Sequence, residues 1–353
     1  MNFAPHQPDT GPDAYLRDAV AGSIRHADDI AQLLLGSPQR WTDALLSEVR
    51  AHLSGGLNTV ETALGLHLGD SWLARPVEAL GPGYCRLAIE RHPAILSPIL
   101  LDHLRLRAAA AIALRMTLSL PADLQDGSVS AEPMLEDEPL SAAMAALALS
   151  VDPWLAPHPL DWPMQADIGA EAFCDLVWTA SALLVEGLTA RMGVEHGAAA
   201  TLMANAAETI IARHDEQAGP FARAAYVATL ARTDEIIERL ADHAALRHDL
   251  LLLAALGGRR AGMPVEHALA LLVDGVDEER AAFAHRLALN DAAFLAMLDA
   301  LAPVGDGADD DRLPELLDHF RTLTTEDAAA ALARWRGPVP LVTKLSRMGA
   351  RAS

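Results

Sequence analysis

The sequence predicts an all-α fold: a multi-helical bundle that contains α-solenoid-like stacked helical pairs. Hydrophobic residues make up 51% of the 353-residue chain, which argues against a disordered protein. Aromatic residues make up only 4%, and Ala and Leu are abundant, which argues against a β-sandwich or a β-barrel. In addition, apolar residues recur at steps of three and four through most of the chain, which is the spacing of one helical face.

The first elements follow a short lead-in, residues 1–13, whose prolines and lack of an apolar core predict disorder. An apolar stripe predicts a helix over residues 16–34, and a second helix follows over residues 41–53. Several Gly and Pro residues interrupt the region 55–92, so we expect only short helices there. A Ser-Pro pair, which is typical of a helix start, then opens a long helix over residues 98–120.

An acidic segment suggests how the chain divides into domains. Residues 121–141 carry acidic side chains, Gly and Pro but no Lys or Arg, which is the composition of a linker or a long loop. This segment separates a predicted N-terminal helical domain, residues 14–120, from a central helical bundle or repeat domain, residues 142–302. The remainder, residues 303–353, is predicted to hold a second acidic loop, the final helices and a basic tail.

The central domain has the clearest periodicity. Its pattern predicts two long antiparallel helices separated at Gly219 and Pro220, with small residues that permit close helix packing. A four-helix-bundle face or a dimer interface is one interpretation of this pattern. Further along, a helix over residues 250–256 is expected to end at Gly257 and Gly258, and short helices then alternate with polar breaks, which suggests stacked helical pairs.

One part of the chain resembles a known family. The segment 287–302, together with the Leu-rich segment that begins at Leu250, resembles the carboxy-terminal helical repeats of an uncharacterised proteobacterial family, a domain of unknown function. The resemblance covers the last third of the chain. It implies a bacterial protein with helical-repeat architecture and supplies no catalytic residues.

Composition also limits partners and compartment. The formal net charge of −21 repels phosphate groups, which argues against a nucleic-acid binder. The first residues lack the layout of a secretory signal, and the apolar stretches are too short or too interrupted for a predicted transmembrane segment. Cys85 and Cys174 belong to no ligand pattern and are expected to be reduced. We therefore expect a cytoplasmic protein.

The search for chemistry yields one metal-dependent alternative. His214 with its neighbour Asp215, and His248 with Asp249, could supply ligands for a divalent metal, with Asp274 or Asp291 as a later ligand. This order is similar to that of the HD phosphohydrolase superfamily, and the resemblance implies metal-dependent phosphoester hydrolysis. The competing interpretation, which we favour, is that these are ordinary surface or helix-capping residues.

Two further groups of side chains, histidines and tryptophans, bear on function. His196, His214 and His243 are candidates for histidine phosphotransfer on a helical bundle, although no feature separates them from solvent-facing histidines. The six tryptophans have no common spacing, and most are predicted to be core residues.

The C-terminal tail differs in charge from the rest of the chain. From residue 331 to residue 353 it carries five basic residues and no acidic one. Apolar residues lie between these charges, so binding to a partner or to a membrane surface is one interpretation. The favoured alternative is a segment that packs on the protein's own core, because Gly and Pro prevent one long amphipathic helix. The candidate partner-binding residues are Arg334, Trp335, Arg336, Lys344 and Arg347.

The sequence thus favours a non-enzymatic helical scaffold or regulatory protein that binds another protein or forms a homo-oligomer and has no cofactor. This preference depends on the helical architecture and on the lack of familiar catalytic motifs: the chain has no GxGxxG, GxxxxGK, HExxH or GxSxG sequence. The alternatives are an HD-like metal-dependent phosphohydrolase and a histidine phosphotransfer protein.

Overall fold

The computed structural model describes residues 41–119, 137–155, 168–305 and 312–336, together with positions 26, 27, 30 and 33. This part of the chain contains fifteen α-helices, three short 3₁₀ segments and no β-strand. The protein is therefore an all-α helical bundle, as the sequence predicts. The helices are α1 (Asp43–His67), α2 (Ala74–Leu80), α3 (Tyr84–Ile89), α4 (Pro98–Ser119), α5 (Glu138–Leu155), α6 (Ala170–Met192), α7 (His196–Ala212), α8 (Pro220–Leu230), α9 (Asp234–Leu246), α10 (Leu250–Ala261), α11 (Val265–Asp274), α12 (Asp277–Leu287), α13 (Asp291–Leu301), α14 (Leu313–Thr322) and α15 (Thr325–Ala331).

Helix α4 lies at the centre of the bundle. It packs against α1, α5, α6, α10, α11 and α13. Residues 108–113 in its middle are all buried, as expected for a helix that is apolar on every side. The predicted acidic linker lies mostly outside the described residues, and the proposed division into domains stays a prediction. Helix α4, which precedes that linker in the chain, packs against five helices that follow it or begin at its end.

The expectation of only short helices over residues 55–92 is wrong for the first part of that region. Helix α1 continues through three glycines to His67. Gly56 is buried, and a Cβ atom on it would lie 3.0 Å from Leu176 Cδ2 of α6. The missing side chain therefore lets α1 and α6 approach closely. The following helices, α2 and α3, are short as predicted, with seven and six residues.

The expectation of one long helix after Pro220 is also wrong. The chain forms two helices, α8 and α9, because Thr233 begins a new one: its Oγ1 accepts the backbone N–H of Ile236 at 3.3 Å. The end of α8 is held by Arg259, whose guanidinium donates to the carbonyl oxygen of Ala231 at 2.7 Å. A capping residue inside a periodic stripe thus overrides the periodicity.

Other helix ends follow the sequence. Ser97 Oγ accepts the N–H of Leu100 at 3.1 Å, which caps α4 at the predicted position. Helix α10 is an exception, because it passes its expected end at residues 257–258. It ends at Ala261, before Gly262, whose φ of +71° is in the left-handed region that favours glycine.

Helix α6 has the composition of a helix that packs on every side. It is the one helix among the described residues that is long and apolar enough to cross a membrane. However, 67% of its apolar window is buried inside the protein, and core helices meet the same criterion. Its composition alone therefore does not indicate a membrane span.

Candidate functional site

A surface cavity of about 540 Å³ lies between α6 and α7, and we name it the α6–α7 groove. The residues that line it come only from these two helices, and most of them are small or apolar. They are Trp178, Ser181, Ala182, Val185, Glu186, Thr189, Ala190, His196, Ala200, Met203 and Ala204.

The two walls of the groove are fixed by a short connection. Gly193 ends α6 with φ +63°, and its N–H donates to the carbonyl oxygen of Leu188. Glu195 then caps α7 by accepting the N–H groups of Gly197 at 2.8 Å and Ala198 at 2.6 Å. The hydrogen bonds from Ala198 and Gly197 hold the pKa of Glu195 below its ordinary value. Because only three residues join the helices, α6 and α7 form an antiparallel hairpin.

The inner edge of the groove carries its one carboxylate. Glu186 Oε2 accepts the hydroxyl of Tyr84 at 3.1 Å, and the Arg191 guanidinium lies 4.9 Å from the centre of the Tyr84 ring. The ring packs over Gly187, where a Cβ atom would lie 2.5 Å from it. Burial, and then the bond to Glu186, raises the pKa of the Tyr84 hydroxyl. The Glu186 carboxylate is thus hydrogen-bonded to Tyr84 of α3, and most of the other lining residues are small or apolar.

Exposed aromatic surface is the feature that distinguishes this groove. Trp178 is 43% exposed at the edge of the cavity, whereas Trp154 and Trp335 are buried as predicted for core residues. The prediction that most tryptophans are core residues therefore does not hold for Trp178 or for Trp72, which is 55% exposed. Large exposed apolar side chains beside a concave apolar surface are typical of a binding site.

A buried polar cluster joins α1, α4 and α5. His52 Nε2 lies 2.9 Å from Glu48 Oε1, and Arg115 binds both carboxylate oxygens of Glu48 and the carbonyl oxygen of Trp154. The Arg107 guanidinium lies 5.0 Å from the centre of the Trp154 ring. Burial favours a neutral Glu48, but the bonds from His52 and Arg115 outweigh it and lower its pKa to about 2. The cluster therefore holds a carboxylate inside the bundle.

Two histidines of this cluster are kept neutral. Burial, and then the charge of Arg107, lowers the pKa of His52 to about 4 and that of His103 to about 3. The His103 ring packs on Phe221 of α8, with 5.0 Å between ring centres. These groups have the perturbed pKa values that occur at functional sites, but structural networks perturb pKa values as well. Since these side chains lie between packed helices, we assign them a structural role and not a catalytic one.

The histidines of the metal-dependent hypothesis contact separate parts of the protein. His214 stacks on Phe173 with 3.8 Å between ring centres, and its Nε2–H donates to the carbonyl oxygen of Ile168 at 2.7 Å. His248 Nε2 lies 3.6 Å from Asp299 Oδ2 of α13. Burial, partly opposed by Asp299, lowers the pKa of His248.

The aspartates of that hypothesis have structural partners. Asp249 caps α10 by accepting the N–H of Leu252 at 2.9 Å, and burial raises its pKa. Asp274 forms a bidentate pair with Arg105 of α4, at 2.5 and 2.6 Å. Asp291 is hydrogen-bonded to Arg321, which lowers its pKa. Within the described ranges no three His, Cys, Asp or Glu side chains form a group that could hold a metal ion. The structure thus does not bring His214, His248 and Asp249 together.

The phosphotransfer candidates differ in position. His196 is exposed at the first residue of α7 and lines the α6–α7 groove, while His214 is stacked inside a smaller cavity. His243 lies in α9. The phosphotransfer hypothesis stays a prediction.

The first part of the basic tail contacts the protein itself. Trp335 is only 4% exposed, and its indole N–H donates to Glu279 Oε1 at 3.1 Å. Arg334 binds the same carboxylate, while Arg336 is exposed. The other two candidate residues, Lys344 and Arg347, lie outside the described residues.

Comparisons with family models, with curated proteins and with solved structures found no match.

The sequence does not predict the α6–α7 groove. Because α6 is apolar on every side, its outward residues have the same character as its buried ones, and periodicity does not separate them.

Proposed function

We propose that this chain is a non-enzymatic helical interaction protein, and that its α6–α7 groove binds the same hairpin of a second copy. The main support for this proposal is the exposed side chain of Trp178, which lies beside a groove lined mostly by small or apolar side chains. Tryptophan is enriched among residues that dominate binding energy at interfaces.

A second copy fits the shape of the surface. Helix α7 packs mainly on α6 and α1, so no other described helix packs extensively on the outer side of α7. Two antiparallel hairpins related by a two-fold axis form a four-helix arrangement in which every contact occurs twice. The small side chains of Ala182, Ala190 and Ala204 permit the close helix approach that this arrangement needs.

The available area predicts a reversible dimer. The 17 residues of α7 give a length of about 25 Å, and two packed helices are about 20 Å across, so the face covers roughly 500 Å². Stable interfaces bury about 800 Å² on each partner, so this surface is at the lower end of specific interfaces. The net charge of −21 on each copy opposes association, and added salt should weaken that repulsion.

Sedimentation equilibrium over a range of protein and salt concentrations tests the proposal. The wild type should dimerise reversibly, with a larger dimer fraction at higher salt. Ala182→Glu places a charge on an exposed position of the groove, and Trp178→Ala removes the aromatic contact, so each should weaken dimerisation at least tenfold. Trp72→Ala is the matched control, because Trp72 lies outside the groove and is also exposed, at 55% against 43% for Trp178. A monomer at every concentration, or dimerisation unaffected by Ala182→Glu, would overturn the proposal.

A further inference from the structure

A second surface cavity, of about 440 Å³, lies between α8, α10 and α11, and we name it the α8–α11 groove. Its lining is mainly apolar and includes two acidic residues. The lining includes Glu216, Ala222, Ala225, Arg259, Val265 and Glu266.

The basic side chain that lines this groove, Arg259, already has hydrogen-bond partners within the protein. The Arg259 guanidinium donates to the carbonyl oxygens of Ala228 and Ala231 at the end of α8. These bonds hold the group against the backbone of the wall. The groove therefore offers a ligand an apolar surface together with the carboxylates of Glu216 and Glu266, which suits a segment that is apolar and basic.

The C-terminal segment begins beside this groove. The ring of His267 donates from Nδ1 to the carbonyl oxygen of Trp335 at 3.3 Å, and Trp335 is buried. His267 directly follows Val265 and Glu266 in α11, and both of these residues line the groove. The end of the described chain thus contacts α11, the helix whose first two residues line the groove.

The remaining segment, residues 337–353, lies outside the described residues and has the matching composition. Its apolar residues are Val339, Leu341, Val342, Leu345 and Met348, and its charged residues are Lys344, Arg347 and Arg351, all basic. The five residues 337–341 can span at most about 17 Å, the length of five residues of fully extended chain. That reach exceeds the roughly 10 Å between packed helices, so the following residues can arrive at the α8 wall.

From this placement we infer that segment 337–353 of the same chain binds in the α8–α11 groove. Its apolar residues contact the alanines of α8, and its basic residues pair with Glu216 and Glu266. The inference is independent of the self-association proposed above, because it concerns different helices and a different occupant.

Disulfide trapping in the full-length chain tests this inference. In a Cys174→Ser background, Val342→Cys in the tail is combined with Ala225→Cys in the α8–α11 groove or with Ala182→Cys in the α6–α7 groove as the matched control. Oxidised glutathione is added to dilute protein, and non-reducing peptide mapping by mass spectrometry measures the linked pair. We expect the Ala225→Cys pair to link at least tenfold faster within one chain. Equal rates for the two pairs, or links that form only between copies, would overturn the inference.

Charge reversal tests the ionic contacts separately. Glu216→Lys combined with Glu266→Lys should slow formation of the Ala225→Cys link at least threefold. Glu208→Lys combined with Glu235→Lys makes the same change in charge at exposed positions outside the groove and should leave the rate unchanged. An unchanged rate in the groove variant would show that the acidic residues do not bind the tail and would overturn the inferred pairing.

Discussion

The indole N–H of Trp335 donates a hydrogen bond to Oε1 of Glu279 at 3.1 Å, and both side chains are buried. Glu279 Oε2 also accepts the backbone N–H of Val276 at 3.2 Å, at the first turn of α12. One carboxylate thus fixes the start of α12 and the end of the described chain. The beginning of the basic tail is therefore part of the folded core.

Substitutions of Trp335 should show how much its buried contacts contribute to the free energy of unfolding. Trp335→Ala removes a large buried side chain and should lower the free energy of unfolding by about 3 to 5 kcal/mol, whereas Trp335→Phe loses mainly the hydrogen bond and should cost about 1 to 2 kcal/mol. Urea unfolding followed by circular dichroism gives both values. Arg336→Ala, at an exposed neighbour, is the control and should change stability by less than about 0.5 kcal/mol. Equal stability of Trp335→Ala and wild type would contradict the assignment.

Two glycines within helices should respond oppositely to alanine. A Cβ atom on Gly257 would lie 2.1 Å from Phe283 Cζ, so Gly257→Ala should force α10 and α12 apart and destabilise the protein by about 1 to 3 kcal/mol. Gly65 in α1 has no such neighbour within 4 Å. Gly65→Ala should therefore stabilise the protein by about 0.5 to 1 kcal/mol through helix propensity. Thermal unfolding of the two variants tests this prediction. A shift of the melting temperature in the same direction in both variants would refute the packing argument.

These glycines show how far the sequence predicts this fold. Helical periodicity and caps such as Ser97 predict the fold class and several helix starts, because they depend on local chemistry. A glycine that ends a helix and one that permits close packing look the same in the sequence. Gly257 is of the second kind, since its neighbour Phe283 is 26 positions away and only the folded chain brings it near. The exposed position of Trp178 depends in the same way on which side of α6 its partner helices cover.

Asp249 should behave as a helix cap. Its carboxylate accepts the N–H of Leu252, so Asp249→Ala should destabilise the protein by about 1 kcal/mol. Asp249→Asn keeps an acceptor oxygen and should be nearly neutral, because burial already disfavours the charged carboxylate. Thermal unfolding with and without a chelator measures both effects. Asn290→Ala, which removes the cap of α13, is the matched control. If chelator lowered the stability of wild type but not of Asp249→Asn, the residue would be a metal ligand instead.

The buried cluster at α1, α4 and α5 should make the fold sensitive to acid. The pKa of His52, about 4, and that of His103, about 3, are below the ordinary value of 6.5, so the folded protein binds fewer protons than the unfolded chain. Their contribution to stability is complete above pH 6.5 and is lost as the pH falls from 6.5 to about 4 for His52 and to about 3 for His103. The lowered pKa of Glu48 extends this loss from pH 4.5 towards 2. Each such group changes the free energy of unfolding by about 1.4 kcal/mol per pH unit within its range.

His103→Phe should reduce the pH dependence of the free energy of unfolding by the contribution of one titrating group. The substitution keeps an aromatic ring against Phe221 and eliminates a titrating group whose Nε2 is buried without a hydrogen-bond partner among the described residues. Urea unfolding at pH values from 7 to 4 should give a slope that is smaller than that of wild type by about 1.4 kcal/mol per pH unit. His319→Phe makes the same change at an exposed position of α14 and should retain the wild-type slope. A slope in His103→Phe equal to that of wild type would show that His103 titrates alike in the folded and unfolded protein, and the acid sensitivity would then have another source.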